Sequence, residues 1–194
     1  MTKRHMIALF VGCLLAGCQT ALSAEYRFFE YRVLAIKKTS TLQQEINAVG
    51  AEGFRLEEII GGNTELGGSE GVAVMCKRRG GEKRSFEYKL VVAGKISTIK
   101  EMGEADHLGF GYKGQTVFEA SFGGEEVVVI MERDPNGKGG RHLYRLVATS
   151  NRLGLEKELS EGGEAGFELV GMAAAKTRAG GKVLVAILRC PNFN

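Results

Sequence analysis

The sequence predicts an α+β protein of three tandem β-α-β-β repeats, each a small antiparallel sheet covered on one face by a helix. One observation is a pentapeptide that occurs three times, as GAEGF at 50–54, DHLGF at 106–110 and GEAGF at 163–167. A second motif keeps the same spacing of 56 or 57 residues: EYRVLA, EYKLVV and LYRLVA contain Tyr31, Tyr88 and Tyr144. Two independent echoes with one period indicate tandem copies of one unit.

Each copy also closes with an apolar run that leads to a basic residue. The runs GVAVMCKR, EVVVIMER and KVLVAILR align Lys77, Arg133 and Arg189. We therefore place repeat 1 at 26–79, a divergent repeat 2 at 85–133 and repeat 3 at 141–190. Glycine supplies 28 of the 194 residues and proline only two, so short turns made with glycine are expected between the elements.

The first element of each repeat is predicted to be a half-buried strand, because apolar and polar residues alternate along it. In repeat 1 the alternation assigns one face to Phe29, Tyr31, Val33 and Ala35. The other face then carries Glu30 and Arg32. Repeat 2 has the same alternation between Phe86 and Val92.

The second element is predicted to be a helix. Leu42, Ile46 and Val49 recur at helical spacing, and the stretches Thr41 to Gln44 and Thr98 to Glu101 fit capping boxes at the helix start. The glycine of the recurring pentapeptide stands where the helix should end. Glycine closes a helix well because it adopts the left-handed conformation without steric penalty.

Two further strands complete each repeat. The runs FRLEEII and FELVGM predict a second strand, and glycine-rich turns such as GGNTELGGSEG, FGGEE and AGGK lead to a third. Short turns favour an antiparallel hairpin for these two strands, with the helix covering one face of the sheet.

The pattern of an EY[RK]V strand, a helix, GAEGFRL or GEAGFELV and an apolar strand resembles a bacterial family of very short domains. That family is a domain of unknown function with the hallmark G-A-E-G-W-E-L-V. The resemblance covers nearly the whole chain after the leader, three times over, although repeat 2 departs from it with Asp106 and GFGYKGQTVFEA. It implies a fold and no activity, and therefore no catalytic residues.

The N-terminus has the features of an export signal. Lys3 and Arg4 precede the apolar run MIALFVGCLLAG, which is too short to span a bilayer comfortably. The stretch LLAGC resembles a bacterial lipobox, which predicts a signal peptide at 1–17 and lipidation of Cys18. Because Gln19 follows that cysteine, the same resemblance places the protein at the outer membrane, facing the periplasm. The alternative is an ordinary secretory signal cut after Ala24.

Charge limits the class of partner. Removal of Lys3 and Arg4 lowers the formal net charge from +3 to +1, which argues against a nucleic-acid partner. The one basic run, KRRGGEKR at 77–84, is interpreted either as a solvated linker or as a contact for anionic lipid or envelope polymers.

The candidate binding residues are Tyr31, Tyr88 and Tyr144. They could line three equivalent sites by stacking on sugars or peptides, or they could be core residues whose hydroxyls reach an edge. Cys76 and Cys190 could pair in an oxidising envelope, and the sequence leaves this open.

Three other candidates for chemistry are weak. Asp106 and His107 could form an acid and histidine pair, but neighbours at a helix end usually point apart. GFGYKG at 109–114 follows a helix, whereas a dinucleotide fingerprint opens one. His142 is interpreted as a packed or edge histidine. No metal site or cofactor is predicted.

Two classes of function remain. The sequence favours a lipid-anchored, non-enzymatic binding or scaffolding module of the cell envelope, whose partner would be an envelope protein or polymer. The alternative is an enzyme with an unrecognised site assembled between repeats.

Overall fold

The computed structural model of the protein describes residues 28–36, 38–61, 63–64, 68–69, 71–95, 97–120, 123–137 and 139–192. The proposed signal peptide at 1–17 and the proposed lipidation site Cys18 lie outside these residues. Within the described ranges, none of the helices has the length and apolar character needed to cross a membrane.

The predicted fold of three β-α-β-β repeats is confirmed. Repeat 1 consists of β1 (Phe29–Ile36), α1 (Thr39–Ala51), β2 (Arg55–Ile60), a short ladder of β3 (Asn63–Thr64) with β4 (Gly68–Ser69), and β5 (Gly71–Arg78). Repeat 2 consists of β6 (Glu87–Val92), α2 (Thr98–His107), β7 (Gly111–Glu119) and β8 (Glu125–Arg133). Repeat 3 consists of β9 (His142–Thr149), α3 (Arg152–Glu164), β10 (Glu168–Lys176) and β11 (Lys182–Pro191).

Each repeat forms one antiparallel sheet whose last strand lies in the centre. The strand orders are β1-β5-β2 in sheet 1, β6-β8-β7 in sheet 2 and β9-β11-β10 in sheet 3. The central strand of sheet 2 is buried without interruption from Val127 to Met131. A continuous apolar run of this kind is typical of a strand that is covered on both faces.

The helices end as the sequence predicts. Gly53, Gly109 and Gly166 have positive φ values of 94°, 88° and 82°. The phenylalanine after each glycine donates its backbone N–H to a carbonyl five residues back, at 2.9 to 3.4 Å. This geometry satisfies a carbonyl that the helix end would otherwise leave unpaired, and it turns the phenylalanine toward the sheet.

The predicted capping boxes are wrong. Thr41 lies in the first turn of α1, and its hydroxyl donates back to the carbonyl of Lys38 at 3.2 Å. Thr98 does the same to the carbonyl of Lys95 at 2.8 Å. A threonine already inside the first turn bonds backward and does not cap the N–H groups ahead of it. The side-chain cap belongs to α3, where Asn151 accepts from the N–H of Gly154.

The alignment of the closing basic residues is off by one in repeat 3. Tyr31, Tyr88 and Tyr144 pair across their sheets with Cys76, Glu132 and Arg189, so Arg189 is equivalent to Glu132 and not to Arg133. The cause is a spacing of 57 residues between the last strands of repeats 2 and 3. Lys77 and Arg133 donate to the helix-end carbonyls of Glu52 and Leu108 at 2.7 and 2.9 Å, which explains a cation at this position.

The repeats pack on one another in chain order. One core cluster joins Leu42, Ile46 and Met75 of repeat 1 to Val128 and Ile130 of repeat 2. The opposite face of sheet 2 contributes Val129 and Met131 to a second cluster, which includes Tyr144 and Ile187 of repeat 3. Helix α1 lies along β6, and α2 lies along β9. Each helix thus covers its own sheet and also contacts the first strand of the next repeat.

Candidate binding surface

The three tyrosines of the repeated motif lie in two different environments. Tyr88 and Tyr144 are buried, whereas the side chain of Tyr31 is 61% exposed. They therefore do not present three equivalent open surfaces to a ligand. Of the three candidate binding residues, Tyr31 is the one that solvent reaches.

The buried tyrosines join consecutive repeats. The hydroxyl of Tyr88 accepts a hydrogen bond from the N–H of Leu56 at 2.7 Å and donates to Glu132 at 3.2 Å. The hydroxyl of Tyr144 accepts from the N–H of Tyr112 at 3.3 Å. Leu56 and Tyr112 follow the helix-ending phenylalanine by two residues in their respective repeats. The same contact is therefore made twice, each time to the preceding repeat.

The environment of these hydroxyls keeps them protonated. Burial is the main cause that raises the pKa of Tyr88 far above its ordinary value, and the carboxylate of Glu132 adds to the effect. Burial likewise raises the pKa of Tyr144 to about 12. Protonated hydroxyls can donate and accept at once, which is how both tyrosines are used here.

Helix α1 binds the free edge of β6 through its side chains and a close backbone approach. The amide of Asn47 accepts from the N–H of Tyr88 at 2.7 Å and donates to its carbonyl at 2.9 Å. The Gln43 side chain accepts from the N–H of Leu90 at 2.9 Å, and the Gly50 carbonyl accepts from the N–H of Phe86 at 3.0 Å. Two amides and one glycine thereby satisfy an exposed strand edge.

Gly50 permits this approach because it has no side chain. A Cβ atom there would lie 2.4 Å from the Phe86 carbonyl oxygen. The sequence analysis assigned no role to Gln43, Asn47 or Gly50. Their only signal is that two amides stand four residues apart on one helix face.

Asp106 takes the position of Gly50 at the next junction. Its buried carboxylate accepts from the N–H of His142 at 2.9 Å, lies 3.0 Å from the ring Nδ1 of His142 and accepts from the Tyr144 hydroxyl at 3.3 Å. The predicted pairing of Asp106 with His107 is wrong, since His107 is exposed on the other side of the helix end. The histidine that contacts Asp106 comes from the first strand of the next repeat.

The outer face of sheet 1, defined by Phe29, Tyr31 and Val33 on β1 with Val72 and Val74 on β5, is the uncovered counterpart of these junctions. The three β1 side chains are 45%, 61% and 66% exposed. Here the sequence prediction is wrong: β1 buries Ile36 and half-buries Leu34, and it exposes the face assigned to the interior. The equivalent faces of sheets 2 and 3 are covered by the preceding repeat, and none precedes repeat 1 within the described residues.

The central strands show the same contrast. Val74, Ile130 and Ile187 lie at equivalent positions, each paired with the residue two beyond the repeated tyrosine. Ile130 and Ile187 are fully buried, whereas Val74 is half-exposed. The difference extends across the sheet, because Ile60 on β2 is also 58% exposed.

The basic run at 77–84 borders the outer face of sheet 1 beside Phe29. Part of it is used to hold repeats 1 and 2 together: Arg84 lies 3.1 Å from the carboxylate of Asp134 and stacks over Phe86. That guanidinium holds the pKa of Asp134 below its ordinary value. The run is therefore a positively charged border of the outer face that is anchored to repeat 2, and not simply a solvated linker.

The remaining candidates gain little from the structure. Cys76 in sheet 1 and Cys190 in sheet 3 are both free, and burial raises the pKa of the Cys76 thiol. The GFGYKG segment ends α2 and begins β7, so it opens no helix. In the described part of the chain, no three His, Cys, Asp or Glu side chains are grouped closely enough to hold a metal ion.

Comparison with known proteins found no match to any family model, curated protein or solved structure. The resemblance to the short bacterial domain family therefore stays a prediction. The contacts between repeats and the open face of sheet 1 are what support a function for this chain.

Proposed function

We propose that this protein is an exported, lipid-anchored component of the cell envelope that works by binding, without catalysis, and that the outer face of sheet 1 is its binding surface. One observation carries the proposal: Phe29, Tyr31 and Val33 are exposed, although their counterparts in the other two repeats form buried contacts. An apolar strand face beside an unpaired strand edge offers both hydrophobic area and backbone hydrogen bonds to a partner.

The position of the proposed anchor fits this surface. Cys18 precedes Phe29 by eleven residues, so a lipid on that cysteine would tether the chain close in sequence to the outer face. We place the protein at the outer membrane facing the periplasm, with an envelope protein or polymer as its partner. Binding of this kind requires no cofactor, metal or nucleic acid.

The competing proposal is an enzyme whose site is assembled between repeats. The contact of Asp106 with His142 favours it, because a buried carboxylate can orient a histidine for proton transfer. However, Asp106 and Tyr144 also bond to each other across the same junction. Those bonds give the cluster a structural role in joining repeats 2 and 3, so binding is the function that the geometry supports better.

Site-specific photo-crosslinking in living cells tests the proposed function. A photoreactive phenylalanine analogue is placed at Val33 of the full chain, and a matched control carries it at Lys100, an exposed helix residue far from sheet 1 in sequence. The proposal predicts discrete crosslinked products from Val33 in the membrane fraction and none of them from Lys100. Equal products from both positions, or none from Val33, would contradict it.

A further inference from the structure

We infer that the partner of the outer face of sheet 1 is the α3 end of a second copy of this chain, which docks as a fourth repeat would. The inference deepens the proposed function, on which it rests, by naming the occupant of the same surface. It follows from a junction that the chain builds twice internally and leaves half-built at each end.

The two internal junctions use equivalent positions. Tyr88 and Tyr144 each accept a hydrogen bond from a backbone N–H of the preceding repeat. The N–H groups of Phe86 and His142, 56 residues apart, each bond to the residue at one helix position, Gly50 or Asp106. A junction that recurs with the same atoms in the same register is a property of the repeat unit.

Repeat 1 carries one unused half of this junction. Phe29, Tyr31 and Val33 are the equivalents of Phe86, Tyr88 and Leu90. They lie on β1, which is an edge strand of sheet 1, and their side chains are exposed. The strand edge and the apolar face that repeat 2 offers to α1 are therefore both present on repeat 1.

Repeat 3 carries the other half. Glu156, Ser160 and Gly163 of α3 are the equivalents of Gln43, Asn47 and Gly50. A glutamate oxygen can accept from a strand N–H as Gln43 does, and a serine hydroxyl can accept and donate as Asn47 does. A Cβ atom on Gly163 would meet nothing within 4 Å, so the space that Phe86 occupies beside Gly50 is open beside Gly163.

The apolar part of this half is also uncovered. Leu56 and Ile59 of repeat 1 are 1% and 4% exposed because repeat 2 packs over them. Their equivalents in repeat 3, Leu169 and Met172, are 49% and 53% exposed. The end of repeat 3 thus exposes the apolar residues that a following sheet would bury.

Sequence identity and charge favour contact between these two ends. Phe29 and Gly163 reproduce the Phe86 and Gly50 pair of the first junction, which the second junction replaces with His142 and Asp106. The segment 152–168 at the α3 end carries five glutamates and two basic residues, and the run 77–84 beside Phe29 carries five basic residues and one glutamate. Opposite charges at the two ends favour head-to-tail docking over docking of like ends.

Head-to-tail contacts use two different surfaces and need not close into a ring. Each docked copy leaves one further α3 end and one further outer face exposed. The expected product is therefore a chain of copies along the membrane, and not a symmetric dimer.

The inference is tested by photo-crosslinking from Glu156 of the full chain in cells that also express a differently tagged copy. We expect a product of twice the monomer mass that contains both tags, with the crosslink mapped to residues 29–36 of the second copy. Probes at Lys100 should give no such product. Val33→Asp should lower the yield at least tenfold, since it places an unpaired carboxylate in the contact.

Gly163→Ala is the second variant, and it separates association from folding. The methyl group has open space in the single chain but would meet the docked strand, so the yield should again fall at least tenfold while the thermal midpoint of the chain does not decrease.

Other crosslinks would overturn the inference in distinguishable ways. Glu156 products with a different protein, or Val33 products that contain only a second Val33 probe, would exclude head-to-tail docking and leave the proposed binding function standing. A Val33 probe that crosslinks to the chain's own residues before 28 would show that the leader-proximal segment covers the face. Absence of products from both Glu156 and Val33 would overturn the inference and the proposed function together.

Discussion

Gly50 and Gly163 occupy the same position in two repeats, yet their surroundings differ completely. A Cβ atom on Gly50 would lie 2.4 Å from a backbone oxygen of the next repeat, whereas one on Gly163 would have no neighbour within 4 Å. A backbone oxygen in a packed junction cannot move aside as the end of a flexible side chain can. The role of the glycine is therefore set by what lies beside it, and a sequence motif alone does not reveal this.

Alanine at these two positions gives opposite predictions for stability. Gly50→Ala should lower the free energy of unfolding by about 1–3 kcal/mol, because the methyl group forces the junction apart. Gly163→Ala should raise it by about 0.5–1 kcal/mol, because alanine is favoured over glycine in an open helix position. Urea unfolding of the two variants measures both values, and a loss for Gly163→Ala as large as that for Gly50→Ala would contradict the account.

The buried tyrosines predict a loss of stability at alkaline pH. In the folded chain the pKa of Tyr144 is raised to about 12, and in the unfolded chain it is near 10. Between these values the unfolded state has released a proton that the folded state retains, so stability is fully present below pH 10 and falls as the pH rises. The slope is at most ~1.4 kcal/mol per pH unit for each tyrosine.

Tyr144→Phe is the matched variant for this test. It removes the titrating hydroxyl and should make the decline between pH 10 and pH 12 shallower, although it also lowers stability at pH 8 by removing two hydrogen bonds. Urea unfolding at pH 8, 10 and 11.5 compares the two proteins. Parallel pH profiles would show that Tyr144 does not contribute.

At the scale of elements, the sequence predicts what is local and misses what depends on a neighbour. The order of elements and the glycine helix ends follow from periodicity and backbone preference, and both are confirmed. The buried face of β1 does not follow, because that strand has apolar residues on both faces and only the absence of a covering repeat decides between them. The same reason explains how one tyrosine motif gives two buried side chains and an exposed Tyr31.

The candidate surface was only partly predictable for a related reason. Tyr31 was singled out from the repeated motif, but so were Tyr88 and Tyr144, which the junctions bury. The junction partners Asn47 and Asp106 lie about 40 residues from the strands that they bind. Contacts over such separations leave no periodic signal in a single sequence.

The junction between α2 and β9 should depend on the Asp106 carboxylate. Asp106→Ala leaves the His142 N–H and the Tyr144 hydroxyl without their partner, and an unsatisfied buried group costs about 1–3 kcal/mol. His107→Ala, its exposed neighbour, is the control and should change stability by less than about 0.5 kcal/mol. Chemical unfolding compares them, and equal effects would show that Asp106 is not the residue that joins the repeats.

At the scale of the molecule, the account combines three stacked repeats with a tether at the N-terminal end. Only the stacking is visible in the described residues, and the tether rests on the LLAGC motif before Gln19. The two parts are independent, since a failure of lipidation would change where the protein acts and leave the open face of sheet 1 unchanged.

Lipidation predicts a specific processing defect. Cys18→Ser should abolish incorporation of a labelled fatty acid and leave the precursor uncut, because the modified cysteine is the cleavage site in the lipobox pathway. Metabolic labelling followed by membrane fractionation measures both. Continued labelling, or normal maturation by cleavage after Ala24, would contradict the anchor.

The central claim is that sheet 1 presents an uncovered binding face whose counterparts in sheets 2 and 3 are occupied within the chain. Amide hydrogen exchange measured by mass spectrometry tests it most directly, by comparing residues 29–36 with the equivalent strand 87–92. The N–H groups of Tyr88 and Leu90 are bonded to α1, and those of the β1 edge have no such helix in the described structure. In dilute purified protein the account predicts fast exchange in 29–36 and slow exchange in 87–92, with protection of 29–36 rising in the native membrane. Equal protection of both strands in the dilute protein would contradict it.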